Sequence, residues 1–209
     1  MYLSFSVLFR SLSVIALLFF SVIPAYANQP LESFMWKASA AATAVLIAKT
    51  NPLKADRMSL ETGGGDHFYI IRAGAEWDWN DNLLNVYGWN VDSYWQLDFS
   101  KWQSTRDASQ SGANVTVGLT PMFRFTGSKG YVQPYLDVGV GVYLFTDSTL
   151  EDHEFGSNFQ FSDLFRVGAL IGNRNQWGIG YKFQHYSNGS VREPNKGINF
   201  HFITLSYKY

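Results

Sequence analysis

From about residue 55 onward, apolar and polar residues alternate with a period of two, and this pattern constrains the fold more than any other feature. Successive side chains of a β-strand point to opposite faces, so the alternation predicts strands with one apolar and one polar face. Between residues 68 and 79 the odd positions are apolar, whereas the even positions include charged side chains. The apolar set is Tyr69, Ile71, Ala73, Ala75, Trp77 and Trp79, and the charged set is Arg72, Glu76 and Asp78.

The alternating segments are about 10–15 residues long, which exceeds the usual strand length in soluble proteins. A soluble β-sandwich also alternates, but strands of this length suit a tilted bilayer crossing, and aromatic residues lie near many strand ends. With a first strand at residues 55–62, turning at Gly63-Gly64-Gly65, we count eight strands. Closing the sheet pairs the backbone N–H and C=O groups of its edge strands, which is necessary because the hydrocarbon core of a bilayer offers no hydrogen-bond partners. We therefore predict an all-β fold at residues 55–209, an eight-stranded antiparallel transmembrane β-barrel of the bacterial outer membrane.

The connections between the predicted strands alternate in length. Short turns are expected near residues 80–86, 126–130 and 172–176, and longer connections near residues 103–112, 146–158 and 188–198. Outer-membrane barrels have short periplasmic turns and long outer loops, and an even strand count places both termini in the periplasm. The lengths therefore support the barrel independently of the strand faces.

Residues 1–27 are predicted to be a cleaved signal peptide. Arg10 supplies a positive charge, residues 12–23 form an apolar segment, and Ala25-Tyr26-Ala27 matches an A-x-A cleavage site. The apolar run is short for a permanent membrane helix. Residues 28–54 include an apolar stretch at 38–48, which fits either a short helix or part of a long leader, so their structure is left undecided.

The composition gives no sign of nucleic-acid, metal or cofactor binding. The net charge of −1 gives no indication of a nucleic-acid partner. The chain has no cysteine and shows no metal signature, and three of its four histidines are isolated and are interpreted as structural or exposed. These three are His67, His153 and His201. We therefore expect neither a metal nor another cofactor.

The stretch at residues 178–200, GIGYKFQHYSNGSVREPNKGINF, contains the densest group of candidate catalytic residues. His185 and Ser187 are two positions apart, so a strand would place this base and this hydroxyl on the same face. The stretch resembles the PagL family of outer-membrane lipid A 3-O-deacylases, whose pattern is H-x-S-N followed by P-N-x-G-I. The matching residues are His185-Tyr186-Ser187-Asn188 and Pro194-Asn195-Lys196-Gly197-Ile198.

The resemblance implies hydrolysis of the ester that joins a 3-hydroxyacyl chain to position 3 of lipid A in lipopolysaccharide. By this resemblance Ser187 is the nucleophile and His185 is first the general base and then the acid. Stabilisation of the oxyanion and support of the site are assigned to Asn188, Asn195 and Gly197. The activity requires no metal or cofactor, and the implied partners are the lipopolysaccharide substrate and the outer membrane.

The chain departs from the family pattern at the third catalytic position. The family typically has a carboxylate one residue after the motif isoleucine, whereas this chain has Asn199. An amide can still orient an imidazole, but it cannot stabilise an imidazolium by charge. Counting back from the turn near 172–176 places Asp163 across from His185 as an alternative acid, with Glu193 ranked lower because it lies in the loop.

Residue parity predicts where the site faces. His185 and Ser187 continue the outward apolar row of Ile179, Tyr181 and Phe183, near the outer rim of the barrel. Polar groups on a lipid-facing wall are energetically costly unless they lie at the membrane interface or have a function.

Two other classes of function stay open: a non-enzymatic small outer-membrane barrel for adhesion or membrane integrity, and another lipid A acyltransferase or esterase. Whether the chain forms a homodimer is also open.

Overall fold

The computed structural model describes residues 49–106 and 113–209. The predicted signal peptide, and the residue 28–54 segment up to position 48, lie outside these residues. The described strands are β1 (Arg57–Gly65), β2 (Phe68–Val86), β3 (Trp89–Ser104), β4 (Ala113–Thr126), β5 (Val132–Phe145), β6 (Thr149–Leu150), β7 (His153–Glu154), β8 (Phe159–Ile171), β9 (Trp177–Ser187) and β10 (Ile198–Lys208).

Eight of the strands form a closed antiparallel barrel, which confirms the predicted fold. Around the wall the order is β1, β2, β3, β4, β5, β8, β9 and β10, and β10 pairs with β1 to close the sheet. The short strands β6 and β7 pair with each other as a separate hairpin between β5 and β8. A search of the described residues for a helix long and apolar enough to span a membrane finds none.

Two predicted turns are wrong. The first hairpin turns at Asp66 and His67, both with positive φ, whereas Gly63-Gly64-Gly65 belongs to β1. A methyl group on Gly65 would lie 2.0 Å from the Asn199 carbonyl oxygen, so these glycines serve a close approach between strands. Residues 80–86 continue β2 through register irregularities, and the turn follows at Tyr87-Gly88. Both tight turns have positive φ at two positions, as type I′ hairpins require.

The lumen of the barrel contains a network of buried ion pairs. Asp137 is fully buried and accepts hydrogen bonds from Arg124, Arg166 and the Tyr94 hydroxyl at 2.8–2.9 Å. A second buried carboxylate, Glu61, pairs with cationic groups from three other strands, β2, β8 and β9. These are Arg72, Arg166 and Lys182. The inward rows of polar residues are therefore paired across the lumen.

Replacement of Asp137 by alanine is expected to destabilise the barrel by about 3–5 kcal/mol, because it leaves the buried Arg124 and Arg166 with only one of the two carboxylates they share, Glu76. Denaturant unfolding of the protein refolded into lipid vesicles measures this difference. Asp152→Ala is the matched control, since Asp152 pairs with Arg106 at an exposed position and its loss should change stability little. Equal stability of the two variants would contradict the prediction.

A cluster of aromatic residues fills the lumen at the end that carries the longer loops. Trp102 lies at its centre, with ring centroids 4.7–5.4 Å from Phe145, Tyr186 and Phe200 in edge or tilted contacts. All four side chains are buried. At this end of the barrel, aromatic side chains therefore pack against the lumen side of the β9 and β10 segments that carry the candidate catalytic residues.

Candidate active site

His185 and Ser187 lie on the outer wall of the barrel. Along β9 the residues alternate in burial, and Gln184 and Tyr186 are fully buried in the lumen on either side of His185. His185 and Ser187 are partly exposed and continue the outward row that includes Phe183. This arrangement agrees with the outward orientation predicted from residue parity.

Buried hydrogen bonds anchor the strand on both sides of His185. Arg72 donates to the Gln184 side-chain oxygen and to the Tyr186 hydroxyl, each at 2.5 Å. Gln184 in turn donates to Ser162 Oγ at 2.7 Å. Because both lumen-facing neighbours are held, the backbone that carries His185 is fixed, which is what a preorganised catalytic group needs.

Asn199 holds the His185 ring from the neighbouring strand. The two residues are directly paired between β9 and β10, and Asn199 Oδ1 lies 2.7 Å from His185 Nδ1. An amide oxygen only accepts hydrogen bonds, so in this arrangement Nδ1 carries the proton. Nε2 then has a free lone pair, which is the tautomer that a general base requires.

Gly197 packs against the other edge of the same ring. A methyl group at this position would lie 2.6 Å from His185 Cε1 and 3.0 Å from Nε2. Glycine therefore lets the loop backbone approach the ring edge that bears the free nitrogen. His185 therefore lies between Asn199, which bonds to Nδ1, and the Gly197 backbone, which lies beside the Cε1–Nε2 edge and leaves the Nε2 lone pair free.

Gly197→Ala is expected to lower the deacylation rate by about 10²-fold, because the added methyl displaces the imidazole from its position. Gly130→Ala is the matched control: its methyl would lie 3.6 Å from the Val132 carbonyl oxygen, an ordinary contact in a remote turn. Initial-rate assays on both folded variants measure the difference. Unchanged turnover in Gly197→Ala would show that this contact does not position the ring.

The loop at residues 188–197 is folded around two asparagines. Asn188 is 1% exposed, and its side-chain amide donates to the carbonyl oxygens of Phe155 and Arg192 at 2.9 and 2.6 Å. Its backbone N–H donates to Asn195 Oδ1 at 2.9 Å. The Asn195 side chain also donates to Ser190 Oγ at 3.3 Å and is partly exposed. Asn188 therefore supports the loop from its buried side, and Asn195 closes the loop onto the residue that follows Ser187.

Asp163 and Phe161 lie across from the catalytic candidates on β8. The register pairs Asp163 with His185 and Phe161 with Ser187, so the pairing counted from the sequence is confirmed. Within residues 113–209, no hydrogen bond joins the Asp163 or Ser187 side chain to His185. Glu193 accepts the Asn195 backbone N–H at 3.1 Å and thus contributes to the loop.

Sequence reasoning missed two sets of contributors. One is Arg72, which looked like an ordinary inward-facing charge but anchors both neighbours of His185. The other is the connection between β5 and β8, where Gly156 has positive φ and lies against the Pro194 carbonyl and the Asn188 amide. Among the described residues, no group of three or more His, Asp or Glu side chains is arranged to hold a metal.

Comparison with known proteins agrees with this geometry. A family model described as "Lipid A 3-O-deacylase (PagL)" matches residues 69–208. A "Lipid A deacylase PagL" from Bordetella bronchiseptica is 31% identical over 186 residues, covering 87% of this chain and 97% of that protein. The Pseudomonas aeruginosa "Lipid A deacylase PagL" is 26% identical over 144 residues, covering 69% and 79%.

A solved structure supports the same fold. The crystal structure of "the outer membrane enzyme PagL" superimposes with a TM-score of 0.65 at 21% identity, covering 73% of this chain and 99% of that one. The family model spans most of the described barrel, from β2 to the end of β10, and includes the whole candidate site. The chain belongs to the PagL family of lipid A 3-O-deacylases.

Proposed function

We propose that this protein is an outer-membrane lipid A 3-O-deacylase in which Ser187 and His185 hydrolyse the ester at position 3. One observation carries the mechanistic part of the proposal. Asn199 Oδ1 accepts a hydrogen bond from His185 Nδ1 on the outer wall, which leaves Nε2 as a base two residues from Ser187 on the same face.

The first half of the reaction forms an acyl-enzyme. Ser187 Oγ attacks the ester carbonyl carbon while His185 Nε2 takes the hydroxyl proton. The oxyanion accepts hydrogen bonds from the Asn195 side-chain amide and from the backbone N–H of Gly189, with Asn188 and Gly197 holding the surrounding loop and ring. His185 then gives its proton to the departing 3-oxygen of lipid A, and the carbon–oxygen bond breaks.

The second half releases the fatty acid. Water gives a proton to His185 Nε2 as its oxygen attacks the acyl-Ser187 carbonyl, and the proton returns to Ser187 Oγ as the 3-hydroxy fatty acid leaves. Every step uses the chain's own side chains and water, so the proposal includes no metal or cofactor. Asn199 orients the ring throughout without supplying negative charge, and Asp163 is the alternative source of that charge on the adjacent strand.

The position of the site fits a substrate that lies in the membrane. The residues sit on the outer wall next to the loop at residues 188–197, near the rim, and the adjacent outward side chains Phe161 and Phe183 are apolar. Lipopolysaccharide in the outer leaflet presents its acyl esters near the interface, so it can reach Ser187 laterally. Polar side chains at this depth are tolerated because they lie at the interface and react.

The remaining parts of the proposal concern targeting and assembly. Residues 1–27 act as a cleaved signal peptide that directs the chain to export, and residues 28–54 precede a barrel domain at 55–209. One copy supplies each group that the mechanism uses, so a homodimer is compatible with activity but is not required by it. Nucleic acid has no role.

Mass spectrometry of lipid A from a Gram-negative host with and without this protein tests the function. We expect loss of one 3-hydroxyacyl chain, with tandem fragmentation locating the loss at position 3. A gain of acyl mass would indicate an acyltransferase, and loss at another position would indicate a different esterase. Unchanged lipid A from cells with folded, heat-modifiable barrel would favour a non-enzymatic protein.

A further inference from the structure

The hairpin formed by β6 and β7 is anchored in the aromatic cluster of the barrel. Leu150 is 2% exposed, and Phe155, directly after β7, is fully buried. The Phe155 ring lies 5.2 Å from that of Phe145 and 6.2 Å from that of Trp102, both in edge contacts. Because these apolar side chains enter a packed core, the hairpin has a fixed position relative to the barrel wall.

The Phe155 carbonyl accepts a hydrogen bond from the Asn188 side chain of the loop at residues 188–197, and the hairpin itself contacts the same loop at Lys196. His153 Nε2 lies 2.9 Å from the Lys196 carbonyl oxygen, and the Lys196 backbone N–H donates to the Glu154 carbonyl at 3.4 Å. Lys196 Nζ also donates to the Asp152 carbonyl at 3.3 Å. Both peptide groups of Lys196 are thus held by the hairpin.

These two peptide groups connect Lys196 to the residues that surround the catalytic histidine. The carbonyl held by His153 belongs to the peptide that continues into Gly197, whose Cα lies against the His185 ring. The N–H held by Glu154 belongs to the peptide that follows Asn195. A shift of the Lys196 backbone would therefore move the glycine contact and the Asn195 amide together.

The hydrogen-bonding state of His153 follows from its partners. A carbonyl oxygen only accepts, so Nε2 carries a proton and donates to Lys196. Nδ1 faces Asp66, whose carboxylate oxygen is 3.5 Å away, and the imidazole is 12% exposed. The ring also lies 4.7 Å from the Phe155 ring, which fixes its plane.

We propose that His153 is a positioning residue for deacylation, which acts through the Lys196–Gly197 peptide to hold the loop against His185. This inference rests on the proposed function. It extends the site to a hairpin more than 30 residues away in the sequence. The hairpin sets where the loop lies, and the loop sets where the imidazole and the Asn195 amide lie.

The test compares His153→Leu with His153→Gln in the full-length protein. Leucine removes the donor, whereas the glutamine amide can donate to the Lys196 carbonyl in its place. We expect kcat to fall by about 10- to 100-fold in His153→Leu with little change in KM, because ring placement rather than substrate binding is lost. His153→Gln should retain most of the rate.

The control is Arg106→Gln. Arg106 donates to the Asp152 carboxylate at 3.1–3.2 Å and lowers the pKa of that exposed carboxyl, but among the described residues it forms no hydrogen bond with Lys196. This variant should deacylate at the wild-type rate. Hydrogen–deuterium exchange of the peptide covering residues 188–197 gives a second readout, with faster exchange expected in His153→Leu and not in His153→Gln.

The outcomes separate this inference from the proposed function. Wild-type kcat and wild-type exchange in His153→Leu would overturn the positioning role, as would equal losses in His153→Leu and His153→Gln. If His153→Leu does not fold, His153→Ala takes its place in the same comparison. Absence of deacylation in the folded wild-type protein would instead overturn the proposed function, while the exchange data would still report on the hairpin contact.

Discussion

Ser187→Ala is expected to reduce the rate of lipid A deacylation by about 10⁶-fold, the size of the loss when a serine hydrolase loses its nucleophile. No neighbouring hydroxyl on β9 can take over, because the outward positions next to Ser187 on that strand are His185 and Phe183. His185→Ala should lose a similar amount, and the double variant should lose no more than either single one. Purified protein, defined lipid A micelles and quantified fatty acid release give these rates.

Ser104→Ala is the matched control for this prediction. Ser104 lies at the loop end of β3, where its hydroxyl accepts the Arg106 backbone N–H at 3.1 Å. It should deacylate at the wild-type rate, and all variants should remain heat-modifiable barrels. Residual activity in Ser187→Ala within tenfold of wild type would mean that another group attacks the ester.

The second large effect is expected at Asn199. Asn199→Ala frees His185 Nδ1 and should lower kcat by up to about 10⁴-fold, the cost of losing the correct imidazole tautomer in the serine-protease template. Asn199→Glu keeps an acceptor at this position and adds negative charge beside the imidazolium, so we expect it to match or exceed wild-type turnover. Steady-state rates of the two variants are compared in the same assay.

Asp163→Asn separates the two candidates for the third catalytic residue. Its carboxylate lies on the strand opposite His185, whereas the hydrogen bond to Nδ1 comes from Asn199. We therefore expect Asp163→Asn to change kcat much less than Asn199→Ala does. If Asp163→Asn instead falls by orders of magnitude and Asn199→Glu restores part of that loss in the double variant, Asp163 supplies the charge.

Strand alternation was sufficient to predict the barrel because membrane strands carry a simple periodic signal. The short turn predicted near residues 172–176 lies between β8, which ends at Ile171, and β9, which begins at Trp177. The two wrong turn predictions arose where strand segments contain the glycine or polar residues that are typical of turns. The glycines at 63–65 and the polar run at 80–82 looked like loops, but backbone approach and a register irregularity keep them within strands.

The outward face of the site and the pairing of Asp163 with His185 were also accessible from the sequence. The outward face follows from residue parity along β9, and the pairing follows from counting residues across a short turn, which fixes the register of a hairpin. The support for the site was not accessible. The contact between His153 and Lys196 joins residues 43 positions apart through a loop, and no periodic pattern encodes such a contact. Arg72, which reaches β9 from β2 across the lumen, was hidden for the same reason.

An asparagine instead of a carboxylate at the proposed third catalytic position changes how the positive charge on His185 can be stabilised. In the proposed mechanism, Asn199 determines the tautomer of His185 but does not neutralise the imidazolium that would form when Ser187 loses its proton. The positive charge is then stabilised by its surroundings, of which Asp163 is the adjacent carboxylate. Precise placement of the ring by Gly197 and the loop matters more when charge stabilisation is weaker.

Covalent trapping of the nucleophile tests the central claim most directly. Folded wild-type protein is treated with a lipid-linked fluorophosphonate, which reacts with activated serines, and intact mass followed by peptide mapping locates the adduct. The account predicts one adduct per chain, on Ser187, with loss of deacylation in proportion to labelling and no adduct in His185→Ala. An adduct on another residue that accompanies inactivation, or full deacylation by protein labelled at Ser187, would contradict it.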